Sequence, residues 1–223
     1  MKKMRSLIFC VIALLLAAPM LLAQDLSKYR TFSLGNSLAF VLKHTDQKFA
    51  DVKTTHGRPS LFQELTWRPS PLGNSFRSDP VEEVLFSFCN GQLYKISVAY
   101  DRTSTEGLTA SDMMKAITAR YGPATSVALE IDVTPNERYD QDGKGVASWE
   151  DSQYSVNLVR SSFTDVFGLV IYSKRLNAEA ELAIAEAVKL EEQEGPKREA
   201  ERKQKATDDL EVARQKNRKV FQP

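Results

Sequence analysis

The sequence is poor in the residues that carry most catalytic and metal chemistry. It contains two cysteines, Cys10 and Cys89, and two histidines, His44 and His56. A zinc site usually takes four ligands from Cys, His and carboxylate side chains, so we expect no metal at either histidine. The sequence also contains no Gly-x-Ser-x-Gly nucleophile elbow and no glycine-rich phosphate loop. We therefore expect no cofactor, and the composition favours a protein that is not an enzyme.

Long apolar runs are equally scarce, and the one that occurs lies at the N-terminus. Lys2, Lys3 and Arg5 precede an apolar run, Leu7 to Leu22, which Ala23 follows. This order is typical of a secretory signal peptide, here 1–23, cleaved after Ala23. The alternative is a retained anchor, but a membrane span needs about 20 apolar residues, and this run is shorter and contains Pro19. We expect a periplasmic or secreted protein without a transmembrane span once the leader is removed.

Cleavage of the leader leaves Cys89 as the one cysteine, so no disulfide can form within the mature chain. The domain must then be stabilised by its core, and we expect Cys89 to be a buried strand residue. Cleavage also removes three positive charges, which changes the formal net charge from +1 to −2. Strong nucleic-acid binding is therefore not expected, because it depends on positive charge.

The composition changes sharply near Leu176. Residues 24–175 hold nearly all aromatic and β-branched residues, whereas 177–223 contain 11 acidic residues, 10 basic residues and one aromatic residue. This shift predicts an α+β domain over 24–175 and a charged helical tail over 176–223, partly disordered in one interpretation. Asn177 is a plausible helix cap, and Gly195-Pro196 should break or kink the helix.

The domain shows a doubled plan, with halves of about 31–100 and 108–173. Each half opens with a short amphipathic helix, capped by Asn36 or Ser37 in the first half and by Thr109 in the second. Three strand-like runs follow in each half. The segment Phe49 to Gly57 is ambiguous between strand and helix. We predict an α+β fold in which two helix-plus-three-strand repeats form an antiparallel sheet with helices on one face.

The clearest local signal is a β-hairpin around Asn90-Gly91. A two-residue loop at these positions would mix apolar and polar residues on each face of the sheet. A three-residue loop that starts at Cys89 would instead pair Phe86 with Tyr94 and build one apolar face. Burial therefore favours the three-residue loop with Gly91 left-handed.

Two short motifs support a resemblance to known families. The Leu34-Gly35-Asn36-Ser37 sequence that opens the first helix, and the Gly122-Pro123 stop after the second, resemble small envelope lipoproteins of the SmpA/OmlA family. The doubled plan resembles the tandem fold of secreted β-lactamase inhibitor proteins. The chain lacks the lipidated cysteine of the first family and the disulfides of the second. The resemblance, over 31–173 at most, implies an envelope or secreted module that binds proteins without catalysis.

Few positions stand out as candidate sites. Asp140 and Asp142 lie in an oxygen-rich loop that resembles a calcium site, but the lysine at the fifth position of the loop fits poorly. Trp67 and Arg68 are protein-binding candidates, since Trp and Arg are enriched at binding hot spots. For Asp140 and Asp142 we favour a solvated loop without a metal, and for Trp67 and Arg68 we favour a tryptophan packed on the sheet without a binding role.

The sequence thus predicts an exported, non-catalytic binding or adaptor module of the bacterial cell envelope. Its partner would be an envelope protein or a cell-wall component, bound through the open sheet face and the charged tail. The alternative is a periplasmic small-ligand binder or an enzyme whose site is assembled from distant strands. That alternative requires a concave pocket lined by converging polar groups, and a deep pocket that holds His44, His56 or Cys89 would favour it.

Overall fold

The computed structural model describes residues 25–69, 79–127, 143–161 and 166–220. The expected signal peptide 1–23 and the calcium candidates Asp140 and Asp142 lie outside these residues. The elements follow the chain in the order β1 (Lys28–Tyr29), β2 (Phe32–Ser33), α1 (Leu38–Thr45), a 3-10 turn (Phe49–Asp51), β3 (Lys53–His56), β4 (Phe62–Trp67), β5 (Val81–Cys89), β6 (Gln92–Tyr100), α2 (Arg102–Thr105), α3 (Ala110–Tyr121), β7 (Ser126–Val127), β8 (Gly143–Glu150), β9 (Tyr154–Ser161), β10 (Phe167–Ser173) and α4 (Lys174–Val220).

The strands form an eight-stranded antiparallel sheet in the order β3-β4-β5-β6-β10-β9-β8-β7, and β1 pairs separately with β2. This confirms the expected mixed α+β fold with an antiparallel sheet and a long C-terminal helix. The two edge strands add to the six strands that the sequence predicted. Strand β3 comes from the ambiguous segment Phe49 to Gly57, which forms a 3-10 turn followed by a strand. Strand β7 was not predicted; it has only two residues, too few to show the alternation that reveals a half-buried strand.

One face of the sheet carries the hydrophobic core. Helices α1 and α3 and the β1–β2 hairpin pack on this face, which we call the core face. Its sheet side chains alternate along the strands, as the two-residue period of a strand requires. The largest fully buried members are Trp149, Phe32, Phe86, Phe88, Leu65, Leu93, Ile96, Leu158, Leu169 and Ile171.

Both helices on the core face begin as the sequence predicts. The Ser37 hydroxyl accepts a hydrogen bond from the Phe40 amide at 3.2 Å. At α3, the Asp112 amide donates to Thr109 Oγ1 at 3.2 Å, while the Asp112 carboxylate accepts from the Thr109 amide at 2.9 Å. This is a capping box with Asp in the place of Glu. The Gly122 carbonyl after α3 accepts from the buried Trp149 indole at 2.7 Å, which fixes the end of the helix on the sheet.

The register predicted for the hairpin is wrong. The loop has two residues, Asn90 (φ 50°) and Gly91 (φ 76°), and two positive φ values match the twist of paired strands. Phe88 pairs with Leu93, but Phe86 pairs with Ile96, because the register shifts by one residue between Ser87 and Phe88. The shift leaves Tyr94 as an extra residue in β6. A β-bulge therefore builds the apolar face that we had assigned to a longer loop.

Helix α4 also differs from the expectation. It begins at Lys174, directly after β10, and the Leu176 amide donates to the Ser173 hydroxyl at 3.4 Å. Asn177 is therefore not the cap; its side-chain amide donates to Glu181 within the helix. The helix continues through Gly195 and Pro196 to Val220, so the predicted break does not occur. Proline strains a helix interior without forbidding it, and at the exposed Pro196 water can reach the carbonyl left without a donor.

Candidate binding surfaces on the second sheet face

The face of the sheet opposite the core is polar but largely shielded from solvent. Its side chains alternate with those of the core face, and its polar members that are less than a tenth exposed include Ser87, Lys95, Ser97, Ser148, Ser155 and Asn157. The hydroxyl and amide groups of these side chains need hydrogen-bond partners, because a buried polar atom without a partner is costly. We call this surface the second face.

The start of α4 packs on one end of the second face. Phe62, Tyr94 and Ala180 form a small separate core there, against which Leu176 and Ile184 also pack. Tyr94 is the residue that the β-bulge adds to β6, so the bulge supplies a ring to this contact. Burial raises the pKa of the Tyr94 hydroxyl far above its ordinary value. The second face is therefore not an open surface at this end, in contrast to the open sheet face expected from the sequence.

Helix α4 is then held along the edge of the sheet by small residues and ion pairs. Ala180 and Ala187 have no exposed surface, and alanine lets the helix approach the sheet closely. His56 Nδ1 lies 3.2 Å from Glu191 Oε1, and an Arg58 guanidinium nitrogen lies 3.3 Å from Glu194 Oε2. Residues 174–195, which we call the proximal segment, are thereby fixed to β3 and β4.

A short polar chain anchors the first turn of α4. Lys174 Nζ lies 2.7 Å from one oxygen of Glu150, and the Ser155 hydroxyl donates to the other oxygen at 3.3 Å. The Asn157 amide donates in turn to the Ser155 hydroxyl at 3.1 Å. Ser155 and Asn157 are buried, so this network links the helix to the interior of the second face. Such a network orients the helix as much as it stabilises it.

Beyond the proximal segment the helix extends away from the described part of the domain. Every residue from Pro196 to Val220 is exposed, and this stretch is hereafter the distal arm. Its large apolar side chains are Leu210, Val212 and Val220, with exposed fractions of 72%, 67% and 74%. A helix that is polar on all sides is uncommon unless a partner covers it or many ion pairs support it.

A cleft of about 370 Å³ lies on the second face, away from α4. Its lining combines aliphatic walls from Val159 and Val170 with the hydroxyls of Ser97 and Ser161 and the carboxylates of Glu82 and Glu83. Glu83 forms an ion pair with Arg68. We call this depression the sheet cleft; its combination of apolar walls and a few polar groups is that of a small-ligand pocket.

Gly168 forms part of the sheet cleft and keeps it open. A Cβ atom at this position would lie 3.1 Å from the Val98 carbonyl oxygen and 3.2 Å from Val159 Cγ2. A second depression, of about 500 Å³, lies where α4 starts and is lined by Gly35, Gln92 and Arg175 among others. Neither depression is lined by His44, His56 or Cys89, the residues whose presence in a pocket would have favoured the alternative interpretation.

The two histidines and Cys89 each have a local structural role. His44 Nδ1 lies 2.8 Å from the Phe40 carbonyl oxygen, and its ring stacks on the Phe40 ring. His56 is the last residue of β3 rather than part of a turn. Cys89 ends β5 and is half-buried, not fully buried as expected; burial, together with the Glu179 carboxylate, raises the pKa of its thiol. Within the described residues no three His, Cys, Asp or Glu side chains lie close enough to hold a metal ion.

Trp67 and Arg68 are both engaged within the domain. Trp67 lies on the core face, where its ring contacts the rings of Phe32 and Phe86 at 5.6 and 6.4 Å between centroids. The Arg30 guanidinium lies over the other side, 5.9 Å from the ring. Arg68 is paired with Glu83, as described for the sheet cleft. The structure therefore places Trp67 and Arg68 on opposite faces of the sheet and does not bring them together as one surface.

A pair that sequence reasoning missed, Arg30 with Asp79, closes the core face. Two guanidinium nitrogens of Arg30 lie 2.7 Å from the two oxygens of Asp79. These hydrogen bonds lower the pKa of Asp79 and raise the pKa of Arg30, while burial raises the pKa of Tyr29 to about 12. The pair joins positions 49 residues apart, and no local pattern reveals such a contact.

Comparison of this chain with protein families, with curated proteins and with solved structures finds no match. Among the helices of the described residues, none combines the length and the apolar character that crossing a bilayer requires. The assignment of function therefore depends on the surfaces described above.

Proposed function

We propose that this chain is an exported, non-catalytic binding module of the bacterial cell envelope, and that the distal arm of α4 is its contact surface. Export is inferred from the leader-like segment 1–23. The observation that carries the binding role is the contrast within one helix: Ala180 and Ala187 are fully buried on the sheet, whereas every residue from Pro196 to Val220 is exposed. The domain fixes the direction of the arm and leaves the arm itself uncovered.

Local interactions alone do not account for the helix beyond Pro196. Proline in a helix interior costs about 3 kcal/mol relative to alanine. Three ion pairs of neighbouring turns, Glu194–Arg198, Glu199–Lys203 and Glu211–Arg214, support this part of α4. Two side-chain hydrogen bonds across one turn, Gln204 to Asp208 and Gln215 to Glu211, add to them. Each such contact contributes about 0.2–0.5 kcal/mol on an exposed helix, so together they offset part of the proline cost. A partner that covers the arm would supply the remainder.

We also propose that the domain is an internal duplication that serves as a rigid platform. In support, β3 to β6 and β7 to β10 are two antiparallel sets that meet at β6 and β10 in the centre of the sheet. Helices α1 and α3 precede the two sets and pack on the same face. The resemblance to tandem secreted inhibitors and to envelope modules agrees with this proposal and is not needed for it.

Site-specific photo-crosslinking in cells tests the proposed contact surface. A photoreactive residue replaces Leu210 or Val212 in the arm; the matched control replaces Leu108, an apolar residue before α3 that is 41% exposed. We expect adducts from the two arm positions and none from Leu108. Digestion of the cell wall before electrophoresis separates protein partners from wall polymers. Equal adducts from all three positions, or none from the arm, would contradict the proposal.

Export is tested separately by cell fractionation and N-terminal sequencing. We expect the chain in the periplasm or the medium, with Gln24 as its first residue. A cytoplasmic chain that begins at Met1 would contradict the proposed export to the cell envelope.

The sheet cleft supports a second candidate function, the binding of a small amphipathic molecule. Its aliphatic walls suit an apolar group, and Ser97 and the two glutamates suit a hydroxyl or a cation. Native mass spectrometry of the protein purified from its own envelope fraction tests this candidate. A bound species that a Gly168→Leu variant fails to retain would support it, and an unloaded wild-type chain would count against it.

A further inference from the structure

The charges of α4 are divided between its two parts. Between Asn177 and Glu194 there are six acidic residues and one basic residue, whereas the distal arm from Pro196 to Val220 has nine basic and five acidic residues. Nearly all of these side chains are exposed. One continuous helix therefore presents an acidic surface on the proximal segment and a basic surface on the distal arm. Surfaces of opposite sign attract and fix register when they meet.

The proximal segment uses only one side against its own sheet. Ala180, Ala183 and Ala187 lie on that side, which leaves the opposite side free to contact another molecule. Leu182 lies on this outer side with 75% of its surface exposed, and Leu210 of the arm is 72% exposed. These two leucines are separated by a whole number of heptads, so they share one side of a helix that pairs with a neighbour.

The positions of these leucines define a symmetric arrangement. Leu182 and Leu210 lie equally far along the chain on either side of Pro196. If two copies of α4 lie antiparallel with a two-fold axis beside Pro196, Leu182 of one copy comes close to Leu210 of the other. The same rotation lays each basic arm on the acidic proximal segment of the partner. The two sheets then lie at opposite ends of the helix pair.

We infer that the distal arm binds the proximal segment of a second copy of this chain, in an antiparallel pair of α4 helices. This inference rests on the proposed role of the arm and names its occupant. The two contacts are identical because a two-fold axis relates them, so the surface is self-complementary and the assembly closes as a dimer. The antiparallel orientation also places the helix dipoles of the two copies in opposite directions.

Charge reversal in the full-length chain tests this pairing. Glu181→Lys with Glu186→Lys removes the acidic excess of the proximal segment, and Arg202→Glu with Lys216→Glu cancels the basic excess of the arm. Sedimentation equilibrium between 1 and 100 μM should show a wild-type dimer that weakens with salt. Each variant alone should dimerise at least tenfold more weakly. An equal mixture should form a heterodimer, because the unchanged arm of the first variant then meets the unchanged proximal segment of the second.

A matched control separates the position of the charges from the net charge. Lys43→Glu with Lys115→Glu changes the net charge as much as the arm reversal does, at exposed positions on α1 and α3, and should leave the dimer intact. Circular dichroism checks that every variant is folded. If a double variant is not folded, the single reversal Glu186→Lys or Lys216→Glu takes its place, and an equal mixture of the two variants should again form a heterodimer.

Three results would overturn the inference: a wild-type chain that stays monomeric at 100 μM in low salt, reversed variants that dimerise as well as the wild type, or a mixture that gives no heterodimer. None of them decides the proposed function. A monomer whose arm still crosslinks to another envelope component would keep the binding role and exclude self-association. A dimer without any other crosslinked partner would support the inference.

Discussion

Replacement of Pro196 by alanine is the change that most directly probes the energetics of α4. Alanine restores an amide that can donate to the preceding turn, and it removes the clash of the proline ring with that turn. The local helix should gain about 3 kcal/mol. Pro196 is exposed, so the substitution disturbs no packing. Gly195→Ala is the matched control: a Cβ there meets no atom within 4 Å, and the gain should be about 1 kcal/mol.

Far-UV circular dichroism of the full-length chain at about 1 μM is the assay. At this concentration the arm should be partly frayed in the wild-type protein, because its ion pairs do not offset the proline. Helical ellipticity should therefore increase in Pro196→Ala, at most by the amount that a fully helical arm supplies, and it should increase less in Gly195→Ala. If the gain of about 3 kcal/mol is realised only on pairing, it occurs in each of the two copies, and about 6 kcal/mol would strengthen the dimer about ten-thousandfold.

The destabilising effect assigned to Pro196 is contradicted if the two variants and the wild type have the same ellipticity and the same dimer affinity. In that case the helix beyond Pro196 would already be complete in the isolated chain, and no partner would be needed to explain it. A larger effect from Gly195→Ala than from Pro196→Ala would also contradict the assignment of the strain to the proline ring.

Three further changes test the fold that holds the arm. Asp79→Asn should lower the free energy of unfolding by about 1–2 kcal/mol at pH 7. Because Arg30 lowers the pKa of Asp79, the stabilisation by the wild-type carboxylate exists above about pH 4 and is lost as the pH falls further. Urea unfolding should therefore show a large difference in stability between wild type and variant at pH 7 and a small one at pH 2.5. Gly91→Val should cost about 1 kcal/mol or more, since Gly91 has φ 76°; an unchanged melting temperature would argue against that turn. Gly168→Ala should cost about 1–3 kcal/mol by overpacking against the Val98 carbonyl, and a stabilised variant in thermal unfolding would contradict the close approach.

The features that the sequence predicted correctly are those with local causes. The Ser37 and Thr109 caps, the Gly122 stop and the β5–β6 hairpin all depend on residues within a few positions of one another. The α+β fold followed from the alternation of apolar and polar residues within each strand. Such signals survive folding because the tertiary structure and the local preference agree.

The features that the sequence missed depend on contacts between distant residues. The register of the hairpin was wrong because a bulge at Tyr94 has no local signature; the ring is accommodated by Phe62 and Ala180, which lie far along the chain. The packed side of α4 was also misjudged. Ala180 and Ala187 face the sheet, and only the spacing of small residues hinted at this close approach.

The candidate surfaces differ in how much of each the sequence indicates. The unusual composition of the tail indicated a contact surface, and this interpretation carried through to the proposal for the distal arm. Trp67 and Arg68 attracted attention through residue type alone, and the structure engages both within the domain. The sheet cleft is assembled from β5, β6, β9 and β10, and no sequence pattern could have joined its residues.

Hydrogen exchange of α4, followed by mass spectrometry at two protein concentrations, measures whether the distal arm is stable without a partner that covers it. At about 1 μM the amides of 176–194 should be protected by their packing on the sheet, whereas those of 197–220 should exchange much faster because the arm is partly frayed. At about 100 μM, or with the natural partner present, the arm should become protected while the rest of the domain stays unchanged. If the arm were as protected as the proximal segment in the dilute monomer, α4 would be stable by itself, and the uncovered surface on which this account depends would not exist.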